Sequence, residues 1–163
     1  MINIPDGVNA TLADQAIKFK GPSGEVTIKL SKLVKVTIND KDIEVTSDSL
    51  ALQNTTESLI SSACKGVKSG YKRSFKVIYA HFPISFEVKG KDITIKNFLG
   101  EKQPRKAAIV GATKFEAKGQ AVTVTGPDKH AVGQTIANLR IAMKIKDKDG
   151  RIFQDGIYDA AGE

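Results

Sequence analysis

Apolar and polar residues alternate in short runs along the first fifty positions: Ala16-Ile17-Lys18-Phe19-Lys20, Val26-Thr27-Ile28-Lys29-Leu30, Val34-Lys35-Val36-Thr37-Ile38 and Ile43-Glu44-Val45-Thr46. A period of two puts every second side chain on one face, the pattern of a half-buried strand. Gly21-Pro22-Ser23-Gly24 and Asn39-Asp40-Lys41 separate the runs with turn-forming residues, which predicts an antiparallel meander. The period then changes. From Asn54 to about Lys68, Leu59, Ile60, Ala63, Cys64 and Val67 recur at three- and four-residue intervals, with Asn54 and Glu57 spaced as a capping box. This predicts a helix. Beyond it Phe75, Val77 and Tyr79 alternate with polar neighbours, so a half-buried strand follows, its cations facing outward.

The second half repeats the programme. Strands are predicted at Ile84 to Val88, Ile93 to Phe98, Ala107 to Val110, Lys114 to Ala117 and Val122 to Thr125. A helix then opens at Asp128, with Val132, Ile136, Leu139 and Met143 as its apolar stripe. Ile17, Phe19, Gly24 and Glu25 match Ile93, Ile95, Gly100 and Glu101 at a shift of 76; Ile43, Val45, Thr46 and Thr56 match Val122, Val124, Thr125 and Thr135 at a shift of 79. So long a period does not suit a solenoid. It predicts an α+β fold of two tandem homologous domains, residues 1–81 and 82–163, each a mostly antiparallel sheet packed against one helix. Pro83 has no amide hydrogen to donate and is expected to stop the ladder at the joint.

Composition narrows the function classes. Lys and Arg number 25 against 18 Asp and Glu, a formal charge of +7, which suits a polyanionic partner. Three basic concentrations stand out: Lys65 to Lys76 with no acid; Lys102 to Lys118 with Glu116 alone; and Arg140 to Arg151 with Asp147 and Asp149. Lysine outnumbers arginine by 21 to 4, a balance fitted to diffuse phosphate contact more than to bidentate reading of base edges. Aromatics make up only 6% with no Trp, which disfavours stacking single-stranded bases on an open sheet; structured RNA fits better. The N-terminus lacks the pattern of a signal peptide, and no eighteen apolar residues run together.

Catalytic readings are poorly supported. Cys64 is the lone cysteine, which excludes an intramolecular disulfide and suits a reducing compartment; its place on the helix's apolar side makes it a packing residue. His81 falls at the domain joint and His130 in the first turn of the second helix, neither predicted near the thiol. One cysteine and two distant histidines do not make a zinc site. Gly21-Pro22-Ser23-Gly24 leads into a strand and not a helix, so it reads as a turn and not a phosphate loop. Asp147 with Asp149 and Asp155 with Asp159 lie in polar segments and read as solvated surface. No catalytic residue, metal or cofactor is expected.

Certain stretches carry a family resemblance: IPDGV at 4–8, KGPSGE at 20–25, GVKSGY at 66–71, VIYAHFP at 77–83, NFLGEK at 97–102, VGQTIANLR at 132–140 and RIFQDGIY at 151–158. Together and in this order they resemble the family of ribosomal protein six of the large subunit, in its archaeal and eukaryotic branch. The resemblance implies two tandem α+β domains, a structural role on large-subunit ribosomal RNA in the cytoplasm, and a position near the sarcin–ricin loop where translational GTPases land. It also implies that the second domain does much of the docking. Carried onto this chain, it points to Lys129, Gln134, Asn138, Arg140, Lys144, Lys146, Lys148, Arg151 and Gln154 as phosphate or 2′-hydroxyl contacts, and next to Lys102, Arg105 and Lys106. Lys68, Tyr71, Lys72 and Arg73 are expected to cap the first helix and touch RNA or a neighbouring ribosomal protein. The family's tail is commonly more basic than Asp159-Ala160-Ala161-Gly162-Glu163, a departure that argues against a tail contact with RNA. The competing readings are a cytosolic adaptor that binds protein through its sheet edges and, more distantly, a thiol enzyme centred on Cys64.

Overall fold

The computed structural model describes residues 2–13, 15–39 and 42–160. Asp40 and Lys41 of the expected turn, and Ala161 to Glu163 of the expected acidic tail, lie outside them. The chain forms two compact units, Met1–Tyr71 with Gly126–Lys129, and Lys72–Thr125 with His130–Glu163.

In the first unit the alternating runs become β1 (Ile2–Asn3), β2 (Asn9–Ala13), β3 (Ala16–Gly21), β4 (Gly24–Lys29), β5 (Val34–Asn39) and β6 (Asp42–Ser47), followed by α1 (Leu50–Ser69). They make two antiparallel three-stranded sheets, β2-β3-β4 and β1-β6-β5. Register pairs Phe19 with Val26 and Val36 with Val45, so the apolar members of each run share a face. That face and α1 enclose a core in which Ile17, Phe19, Ile43, Ile60 and Val67 are fully buried.

The helix opens earlier than the capping-box spacing implies. Ser49 is the N-cap, in extended conformation and without a side-chain cap bond, while Asn54 lies inside the helix and Gln53 Nε2 donates to Glu57 Oε1 at 3.4 Å. The buried stripe runs back through Thr56 to Leu52, and a count of apolar residues alone skips the threonine.

The second unit holds β7 (Tyr71–Ile78, entering from the first unit at Tyr71), β8 (Ser85–Lys89), β9 (Asp92–Lys96), a 3₁₀ turn (Phe98–Gly100), β10 (Arg105–Ala108), β11 (Lys114–Lys118), β12 (Ala121–Gly126), α2 (Lys129–Ala142) and β13 (Gly156–Asp159). Its sheets are β10-β9-β8 and β11-β12-β7-β13. β7 is built into this second sheet, with Ile157 opposite Val77 and Asp159 opposite Phe75, and the compact units accordingly part between Tyr71 and Lys72. Phe75 and Val77 are buried and Lys72, Arg73 and Lys76 exposed, as their alternation implies. Asp159 is exposed, as expected of solvated surface, but belongs to a strand, whereas Asp155, expected to be solvated with it, is not. Asp155 is buried, and its Oδ1 accepts the Ala80 backbone N–H at 3.2 Å.

The duplication is visible side chain by side chain. Ile17, Phe19 and Ile43 and their counterparts Ile93, Ile95 and Val122 are all completely buried. Thr56 and Thr135 both donate their hydroxyl to the carbonyl four residues back, Leu52 and Ala131, at 2.8 Å. In the second copy Thr135 Oγ1 also accepts the Val110 N–H at 3.0 Å, which ties α2 to the end of the β10 segment. Thr135→Val keeps the shape but strands that amide in the interior, so we expect a loss of about 1–3 kcal/mol. A shifted urea midpoint with an unchanged slope would show it.

Candidate nucleic-acid interface

In the first unit two glycine-bearing turns meet at the C-terminal end of α1. A helix leaves its last carbonyls without partners. Here Ser23 caps two of them, its N–H donating to the Val67 carbonyl at 2.9 Å and its hydroxyl to the Lys68 carbonyl at 3.2 Å. The Gly21–Gly24 turn is thus a helix-capping device. Tyr71 donates its hydroxyl to the Ser62 carbonyl at 2.8 Å and lays its ring beside Gly66, so it is occupied within the fold. Lys68 and Lys129 stand exposed on this unit.

The remaining candidates belong to the second unit, where the arginines and lysines behave differently. Arg105, a predicted contact, is only partly exposed. Its Nε and Nη2 hold the two oxygens of Glu101 at 2.8 and 2.5 Å, and its Nη1 donates to the carbonyls of Ala142 and Lys144 at 2.8 and 2.9 Å. Its guanidinium also lies 4.5 Å from the centroid of the Phe98 ring. Arg140 donates to both oxygens of Asp159 at 2.8 Å and lies 5.5 Å from the Phe75 ring centroid. Arg151 grips Asp149, with Nη2 2.8 Å from Oδ2. Three of the chain's four arginines therefore spend their forks on intramolecular carboxylates.

The hydrogen bond from Arg105 is the main reason the Glu101 carboxyl is held below its ordinary range; Lys148 adds to it through space. The bonds from Arg151 do the same for Asp149. Gln134 Nε2 donates to Asn138 Oδ1 at 3.1 Å, and Asn138 Nδ2 donates to the Ala108 carbonyl at 3.0 Å, so this pair links α2 to β10. Gln154 donates to the Arg151 carbonyl at 3.3 Å.

The lysines face solvent. Among the described residues Lys102, Lys106, Lys144 and Lys146 are exposed and make no ion pair; Lys148 is exposed, its ammonium 4.5 Å from the Phe153 ring centroid. Lys72 and Arg73 are exposed on β7. Sequence reasoning grouped arginine with lysine and passed over Glu101 and Phe98, the residues that engage Arg105. The spacing of Glu101 and Arg105, four apart with opposite charge, was the available signal.

Cys64 is buried, and burial pushes its thiol above the usual value, away from nucleophilic use. Among the described residues no cluster of His, Cys, Asp and Glu can hold a metal ion, and no helix is long and apolar enough to cross a membrane.

The family described as Ribosomal protein L6 matches residues 4–70 and 82–156, leaving the β7 connection between the two matched segments. A large ribosomal subunit protein uL6 from Methanospirillum hungatei is 41% identical over 164 residues, spanning 97% of this chain and 93% of the relative. Its namesake from Methanobrevibacter smithii is 40% identical, spanning 96% and 92%. A third, from Archaeoglobus fulgidus, is 40% identical, spanning 97% and 86%.

Proposed function

The chain belongs to the ribosomal protein L6 family, and from that premise we propose that it docks on large-subunit ribosomal RNA through the lysine-bearing loops of its second unit. It is a component of the large ribosomal subunit in the cytoplasm, and its role there is structural and not catalytic. The observation that carries the RNA reading is the exposure of lysine: Lys102, Lys106, Lys144 and Lys146 stand in solvent without an ion pair, whereas Arg105 and Arg140 are engaged by Glu101 and Asp159, and Arg151, itself largely exposed, pairs with Asp149. A flexible ammonium neutralises phosphate without demanding a fixed geometry, and a folded RNA offers phosphates at many angles. Lys68 and Lys129 are the first unit's counterparts, and Lys72 and Arg73 extend the second unit's set along β7. Family resemblance supports a site beside the sarcin–ricin loop, where translational GTPases pass.

Sedimentation tests this. At low salt the protein should travel with the large subunit through a sucrose gradient, and at high ionic strength it should be released. With purified large-subunit RNA, the log of the binding constant should fall linearly with the log of salt concentration. The four exposed lysines of the second unit each neutralising one phosphate give a slope of about −3 to −4, and every further cation engaged steepens it by roughly 1. A protein that sediments away from ribosomes at every salt concentration is an adaptor, and the proposal fails.

A further inference from the structure

We propose that Arg105 is a positioning residue for RNA binding, not a phosphate contact: it clamps two separate basic segments, Lys102–Lys106 and Lys144–Lys148, into one composite surface for the RNA backbone. This rests on the RNA-binding reading above.

Four of the five N–H groups of the guanidinium are spent inside the fold, two on Glu101 and two on the carbonyls of Ala142 and Lys144. The Ala142 carbonyl belongs to the last turn of α2, so the same cation also caps the helix at its negative end. Beneath it lies Phe98, buried in a turn whose neighbours Asn97, Leu99 and Gly100 all have left-handed φ, at 60°, 52° and 73°. One side chain thus holds the loop after β9 against the segment that leaves α2. The lysines on the two sides, Lys102 and Lys106 on one and Lys144, Lys146 and Lys148 on the other, point to solvent. Lys148 also acts on Glu101 through space, which puts both segments within electrostatic reach of the clamp. Segments joined in this way present their charges in one arrangement, and the ordering cost is met before RNA arrives.

Full-length protein and deproteinised large-subunit RNA, measured by filter retention across a series of KCl concentrations, decide the matter. Lys102→Ala should flatten the salt slope by about 1, the loss of one phosphate contact. Arg105→Gln should flatten it by about 2 or more, since both segments lose their mutual placement. Arg105→Lys, which keeps the charge but not the planar fork, should fail to restore binding. Glu101→Gln is the sharpest variant, because it adds net positive charge and yet should weaken binding roughly tenfold, the equivalent of one charge-assisted hydrogen bond lost from the clamp. Glu101→Gln binding as tightly as the unaltered protein, or Arg105→Lys binding at full strength, would overturn the clamp and make Arg105 an ordinary cation. Absence of binding by the unaltered protein would instead remove the RNA reading beneath it. Should Arg105→Gln fail to fold, Glu101→Gln and Arg105→Lys still separate a clamp from an ordinary cation.

Discussion

Replacing Gly66 with alanine is expected to destabilise the first unit by at least about 2 kcal/mol, although alanine is the better helix former. Gly66 is buried in α1, where a Cβ would stand 2.0 Å from the carbonyl oxygen of Pro127 and 2.7 Å from the Cε2 of the Tyr71 ring. Helix propensity favours the substitution by roughly 1 kcal/mol. Against it, one surplus methyl costs about 1–3 kcal/mol even where side chains can move aside, and here the nearest obstacle is backbone. The clash therefore wins. Retreat of Pro127 also disturbs Gly24, whose own hypothetical Cβ would lie 3.0 Å from the proline ring, and so the turn whose Ser23 caps the helix. The companion experiment is Gly133→Ala in α2, where a Cβ meets nothing within 4 Å; there the same substitution should stabilise, by up to about 1 kcal/mol. Urea midpoints for both variants, with amide exchange over residues 20–24 and 66–70, provide the comparison. Equal effects at the two glycines would show that the approach of Pro127 to α1 does not constrain the fold.

Phe98→Ala should cost the second unit about 3–5 kcal/mol, the usual range for emptying a buried aromatic site. The ring is 1% exposed, and the Arg105 guanidinium rests on its face. Its backbone is as constrained as its side chain. Asn97 and Leu99 on either side adopt left-handed conformations, which Asn tolerates but which cost a residue such as Leu99 roughly 1–2 kcal/mol. Burial of the ring, together with the Asn97 Nδ2 bond to the Pro83 carbonyl at 3.2 Å, helps hold the chain there, so the substitution opens a cavity and also lets the turn relax. Phe98→Leu should lose less, about 1.5 kcal/mol, since volume is mostly kept while the ring face offered to the guanidinium is gone. If the clamp assembles the RNA surface, Phe98→Ala should also weaken RNA binding more than Lys102→Ala does, although the phenyl ring carries no charge. An alanine variant with wild-type stability would mean that the turn is held by its backbone bonds alone, among them the Glu101 N–H to the Phe98 carbonyl at 3.0 Å.

Both predictions turn on what sequence could and could not convey. The alternation of Ile17 with Phe19 and of Ile93 with Ile95 was readable because a strand's side-chain period is local, and burial of one face follows from it directly. The duplication was readable for the same reason, as was the excess of positive charge. β1, β2 and β13 were not foreseen: Asn9–Ala13 alternates only through Ala10 and Leu12, both left largely outside the core, and Gly156–Asp159 is strand only because β7, far back in the chain, offers it a partner. That same pairing places β7 in the second compact unit, which no local pattern marks.

The site followed the same rule. Counting residues finds basic clusters, but it does not say which cations are spent internally. Arg140 meets Asp159 across nineteen positions, and Arg105 reaches the carbonyls of Ala142 and Lys144 across thirty-seven and thirty-nine. Sequence alone therefore determined the strands of the core, the two helices, the repeat and the sign of the surface, since each depends on neighbours within a turn or a pleat. The tertiary structure alone decided that Arg105 and Arg140 reach across the fold, because a hydrogen bond between distant segments exists only after both have been brought to the same place.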